Sequence, residues 1–139
     1  MPEARPKRPR PVPQPTRTTK FFWDAAKQGK LALQWDPTAK RYQWWPRTIS
    51  TATGQQNLEW RTVSGLGRLY SFTETHVPTA GFEDRGPYLI GLVDLDEGVR
   101  IIANLVRLTP DRVRIGMRLK VAWEKISDDI DYFAFEPAD

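Results

Sequence analysis

The chain contains no cysteine and a single histidine, His76. Without thiols there is no disulfide and no thiolate to hold zinc or an iron–sulfur cluster, and one imidazole is too few for an ordinary transition-metal site. The acidic residues do not follow the spacing of an EF-hand loop. No apolar run approaches the ~20 residues that a membrane-spanning helix needs, so no membrane association is expected. The basic, proline-rich first residues have no apolar stretch behind them and do not read as a secretory signal. A G-x-S-x-G elbow and a cysteine nucleophile are both missing. These absences predict a cytoplasmic protein with no catalytic residues of its own.

What is present is unevenly distributed. The net charge is +4, yet residues 1–20 carry six basic side chains against the single acid Glu3, and the remaining 119 residues carry 15 basic and 16 acidic groups. The body is therefore close to neutral, and a folded nucleic-acid module would be expected to show a basic face there. Six of the twelve prolines fall within residues 1–17. Such spacing forbids helix and sheet and favours a solvated, extended chain. Residues 1–17 are expected to be a disordered basic tail, or an arm that lies on an acidic partner or gathers anionic ligands.

Residues 18–30 read as a helix, with Thr18 or Thr19 as N-cap and Gly29 just past its end. So short a helix must dock to be stable, through Phe21, Phe22 and Trp23. Residues 31–35 form a strand that ends in Asp36-Pro37, a turn opener, and 42–45 pair back against it until Pro46 stops them. A polar loop covers 47–57, and 58–63 form another strand. This stretch holds four of the six tryptophans (Trp35, Trp44, Trp45, Trp60) but too little apolar sequence for a core of its own. From Gly67 onward the pattern is β throughout. Strands are expected over 68–76, 88–95, 99–105, 118–126 and 132–135. In the first of them Leu69, Ser71, Thr73 and Thr75 share one face. Gly91 marks a bulge or a tight bend, and Thr109-Pro110 starts a single helical turn. Five strands with a helical turn between the third and fourth fit an OB-fold barrel, as another five-stranded barrel would also do.

Several of these pieces together resemble a known family. They are FFWDAAKQGKLALQW over 21–35, WWPR over 44–47, NLEWRTVSGLGRLYSFTETH over 57–76, PYLIGLVDLDEGVRIIANL over 87–105 and VRIGMRLKVAWE over 113–124. In that order they resemble the OB-fold, acyl-CoA-associated family known as domain of unknown function thirty-five. The resemblance implies a mainly β chain: a helix over 18–30, a rubredoxin-like zinc ribbon over 31–63 and an OB-fold over 64–139. The family's ribbon carries two C-x-x-C knuckles, whose four ligand positions fall here on Asp36, Ala39, Ser50 and Thr53. The ribbon is therefore expected to be degenerate and metal-free, with Trp35, Tyr42, Trp44 and Trp45 as candidates to replace the zinc.

The resemblance also implies a role. Family members are accessory subunits of thiolase-fold or hydratase-fold enzymes and help to enclose an acyl-CoA thioester, while the partner carries the catalytic residues. Acyl-CoA is then the expected ligand, with no cofactor, in C–C bond cleavage or formation of the thiolase or aldolase type. The candidate ligand- or partner-binding residues are Trp23, Trp44, Trp45, Arg47, His76 and Phe82, with none assigned as catalytic. Trp44 and Trp45 offer ring faces for an adenine or an acyl slot, and Arg47 offers a phosphate partner; they serve equally as ribbon core. His76 reads as a general base or as an ordinary strand-end residue, with Glu74 expected on the opposite face. Phe82 tips a barrel loop over 77–86 that reads as a lid, a partner contact or a plain connection. The alternatives are a single-stranded nucleic-acid module using Tyr70, Phe72 and Trp123 as stacking platforms, and a free-standing acyl-CoA thioesterase.

Overall fold

The computed structural model describes residues 9–77, 81–82 and 87–139. Among them the regular elements are α1 (Lys20–Lys27), β1 (Ala32–Asp36), β2 (Arg41–Gln43), β3 (Glu59–Thr62), β4 (Leu66–Thr75), β5 (Tyr88–Leu95), β6 (Arg100–Leu105), β7 (Arg118–Lys125) and β8 (Asp131–Pro137).

Phe22, Trp23 and Ala26 recur on one face of α1, and that face is buried. Thr19 takes the N-cap position without bonding the helix amides. Its hydroxyl accepts the amide of Thr16, and the Thr16 hydroxyl accepts the amide of Thr19 in return. At the other end Gly29 has φ +71; its amide bonds the Ala26 carbonyl at 2.9 Å and the Lys30 amide bonds that of Ala25 at 3.0 Å. This is a Schellman closure, which a glycine in the left-handed region allows without steric cost.

The chain then builds a three-stranded antiparallel sheet in the order β2-β1-β3. Trp35 on the central strand lies opposite Tyr42 on one side and Glu59 on the other. The strand expected over 42–45 ends earlier, at Gln43. Trp44 and Trp45 fall in a bend ahead of Pro46, which cannot donate to a ladder. The peptide bond between them is cis.

Strands β4 to β8 close into a barrel in the order β4-β5-β6-β8-β7, with β7 returning to β4. The pairs are antiparallel except where β6 meets β8, in parallel at Leu105 and Phe135. This is the Greek-key order of an OB-fold. Leu69, Val93, Ile101, Leu119, Phe133 and Phe135 fill the interior.

Three local expectations change. A bulge between Leu69 and Ser71 slips the register of β4 against β5, bringing Phe72 opposite Gly91. The strand therefore does not keep Leu69 and Ser71 on one face, because an unpaired extra residue inverts the alternation. Gly91 itself is not bulged; a Cβ there would come within 2.8 Å of the Leu105 side chain, which fills the space instead. After β6, the Thr109 segment closes as a turn with one bond, Arg112 amide to Thr109 carbonyl at 2.9 Å, rather than as a helix.

Residues 9–17, part of the segment expected to be disordered, follow an irregular path along the barrel. The Arg10 guanidinium bonds the Glu124 carboxylate at 2.9 Å and lies over the Phe82 ring at 4.8 Å from its centroid. Residues 1–8 of the tail, and most of the loop expected over 77–86, lie outside the described residues.

Candidate functional site

The segment expected to be a ribbon forms the three-stranded sheet, and its polar geometry begins at the end of β1. Asp36 is only 1% exposed, and each carboxylate oxygen is occupied. One oxygen accepts the amides of Thr38 at 2.9 Å and Ala39 at 3.0 Å. The other accepts the Ser50 hydroxyl in a short bond and the Thr53 hydroxyl at 3.5 Å. The Ser50 oxygen in turn accepts the amides of Ala52 at 3.0 Å and Thr53 at 3.1 Å. The Ser50 hydroxyl foremost, then the Ala39 amide, hold the Asp36 carboxyl below its ordinary value against the opposing effect of desolvation.

These four positions do not fit a zinc ion. Their donor set is one carboxylate, two hydroxyls and a methyl group, and the carboxylate is already saturated by protein donors. Among the described residues, no group of three or more His, Cys, Asp or Glu side chains converges where it could hold a metal.

A second polar brace ties β1 and β2 to the loop that follows β2. The Gln34 carboxamide bonds both the amide of Arg47 at 2.8 Å and its carbonyl at 2.7 Å. Gln43 donates to Gln34 at 3.0 Å and accepts the Thr51 amide at 3.0 Å. Together the two glutamines fix the backbone of the loop that carries Trp44, Trp45 and Arg47. With its main chain held this way, Arg47 lines an open recess of about 420 Å³ together with Arg17, Thr18, Gln34, Thr48 and Trp60. Neither Arg17 nor Arg47 has an ion-pair partner among the described residues. Phe21, 52% exposed, stacks on Trp60 with centroids 5.2 Å apart.

The aromatic residues expected to offset the zinc by packing are all in ring contacts, and those of Trp44 and Trp45 reach beyond the small sheet. Trp44 and Trp45 pack on Phe22 of α1 at 5.4 Å and 5.7 Å, and Trp44 also meets Phe133 of the barrel at 5.6 Å. Trp23 is buried against Phe22 and Tyr132. These rings weld helix, ribbon loop and barrel together, while Trp35 pairs with Tyr42 under the Arg61 guanidinium. Of Trp23, Trp44 and Trp45, Trp45 is the most exposed, at 37%.

The remaining candidates lie apart from this cluster. His76 follows the last residue of β4, on the surface, with Nε2 3.8 Å from the Glu74 carboxylate. Residues two apart on a strand share a face, so the expectation of opposite faces fails. Phe82 stacks on Tyr88 at 5.4 Å and sits beneath Arg10. It lines a groove of about 450 Å³ between residues 10–13 and the barrel, with Ile90, Ile102, Ile126 and Tyr132 among its walls. Of the three proposed stacking platforms, Tyr70 and Phe72 are exposed, Tyr70 with one ring face taken by Arg100 at 3.4 Å, itself held by Asp94, and Trp123 is half-buried. Sequence reasoning missed Arg10, Arg17, Gln34 and Gln43. The alternation of β1 was the available signal for Gln34, a polar residue on a central strand.

Comparison with known proteins gives, among others, four matches. A family model described as ChsH2, C-terminal OB-fold domain, matches residues 60–124. The chain is 34% identical over 139 residues to a probable enoyl-CoA hydratase alpha subunit of Thermomonospora curvata, covering 98% of this chain and 42% of that protein. It is 36% identical over 69 residues to a DUF35 domain-containing scaffold protein of Methanocaldococcus jannaschii, covering 50% of this chain and 49% of the other. It thus spans less than half the length of each of these curated relatives. Among solved structures, a chain of an Ltp2-ChsH2(DUF35) aldolase superposes with a TM-score of 0.82 at 30% identity, covering 92% of this chain and all of that one.

Proposed function

The chain belongs to the OB-fold DUF35 family, and from that premise we propose that it is a non-catalytic accessory subunit, cytoplasmic, that docks on a thiolase-like or hydratase-like enzyme and helps to enclose an acyl-CoA thioester. The chemistry is C–C bond cleavage or formation of the thiolase or aldolase type, carried out by residues of the partner. The observation that carries this reading is the end-to-end similarity to a chain of the Ltp2-ChsH2(DUF35) aldolase.

The surface of helix and ribbon supports it. Phe21, Trp45 and Ile49 leave apolar surface open beside the recess that holds Arg17 and Arg47. Aromatic side chains with an arginine nearby are typical anchors of a protein interface. Two guanidinium groups with no ion-pair partner among the described residues, beside an indole, also suit the phosphates and adenine of coenzyme A. The barrel offers less to a nucleic acid: residues 64–139 carry 9 basic and 13 acidic side chains, and the Arg100 guanidinium occupies one face of the Tyr70 ring.

The test is affinity purification of the full chain from its native host, with mass spectrometry of what co-purifies. A thiolase-like or hydratase-like protein in near-equal amount is the expected result. Nucleic acid in its place, or steady hydrolysis of acyl-CoA by the chain alone, would overturn the proposal.

A further inference from the structure

We infer that the pair formed by the Asp36 carboxylate and the Ser50 hydroxyl closes the ribbon where the family places a metal, so that the ribbon folds without one. The inference stands on the ribbon's own geometry and does not depend on the accessory-subunit reading. Two tight turns face each other, one over 36–39 and one over 50–53. In each, the first side chain accepts the amides two and three residues further on: Asp36 from Thr38 and Ala39, Ser50 from Ala52 and Thr53. A proton on the Ser50 oxygen then joins the two turns directly.

The bookkeeping of donors and acceptors is complete. Both oxygens of Asp36 are used, and none of the buried side-chain nitrogen or oxygen atoms among the described residues lacks a hydrogen-bond partner. A metal inserted between the turns would have to break the Ser50–Asp36 bond and would meet the Ala39 methyl at one position. A buried carboxylate satisfied by three or four donors is stable only as a unit, because removing one donor leaves charge without compensation. The same bond fixes Ser50 at the far end of the loop that carries Trp44 to Arg47. The latch therefore also holds the candidate docking surface in shape.

The test uses the full chain, expressed with zinc in the medium, and two readouts. Elemental analysis is expected to find well under one equivalent of zinc, and a chelator is expected to leave the melting temperature unchanged. Ser50→Ala is expected to lower the melting temperature by about 5 °C, with or without chelator. Amide exchange at Thr38, Ala39, Ala52 and Thr53 should accelerate in that variant. Asp36→Asn keeps the acceptor for Thr38 and Ala39 and is the milder second variant, with a smaller fall expected. One equivalent of zinc, a chelator-sensitive melt, or a Ser50→Ala protein that melts and exchanges like the parent would each overturn the inference.

Discussion

Phe22 and Trp45 touch each other, yet substitution should separate their roles. Phe22 is fully buried between Trp23, Trp44, Trp45 and Phe133. Phe22→Ala opens a cavity at the junction of helix, ribbon and barrel and should cost about 3–5 kcal/mol, read by chemical denaturation. Trp45→Ala removes a ring that is more than one-third exposed, so its stability cost should be smaller. Its partner affinity should fall by a factor of about 10 or more if Trp45 anchors the interface. A Trp45→Ala protein as unstable as Phe22→Ala, with affinity unchanged, would reduce Trp45 to packing. Asp36 adds a pH dependence at the same scale. Its folded carboxyl lies below the unfolded value of about 3.9, so the stabilisation is complete above that pH and is lost as pH falls through the lower folded value. Acid titration of Ser50→Ala should show less of this loss, because its largest cause is gone. The sequence pointed to position 36 through its lost cysteine. It could not display the latch, whose two sides are fourteen residues apart and depend on the closing of a loop.

Elements were easier to read than their joints. Helix α1 was legible because its apolar face and its terminal glycine act locally, and β5 because it is a strongly apolar run closed by the Asp96-Glu97-Gly98 turn. The bulge in β4 was not legible: Tyr70 looks like any strand residue, and only pairing with β5 shows that it is extra. The irregular segment 9–17 is the larger surprise. Its prolines forbid regular structure but do not forbid docking, and Arg10 docks it between Glu124 and Phe82. The Arg10–Glu124 pair is partly shielded from water, with side chains 23% and 19% exposed, and should be worth on the order of 1 kcal/mol. Arg10→Ala and Glu124→Ala should each lower stability by about that much, and the double variant by clearly less than their sum. Strict additivity in a double-mutant cycle would mean that the segment is held by its apolar contacts alone.

At the scale of the whole molecule the charge and the fold are separable, because the positive excess sits in the first twenty residues while the barrel, residues 64–139, carries 9 basic and 13 acidic side chains. Deleting residues 1–17 removes five basic side chains and one acid and leaves the two signs equal in number. If the molecule is an accessory subunit, recognition rests on the apolar and aromatic surface of helix and ribbon, which the deletion leaves in place apart from Arg17. The shortened chain should then still capture the partner enzyme, with an affinity that changes little between about 50 and 200 mM salt. If the molecule binds single-stranded nucleic acid, counterion release dominates the affinity. The full chain would bind with a steep salt dependence, and the shortened chain would lose that binding almost entirely. Measuring both ligands on both chains over that range of salt distinguishes the two. Loss of enzyme capture on deletion, with the barrel still folded by circular dichroism, would move the docking surface from the ribbon to the segment that crosses the barrel at Arg10.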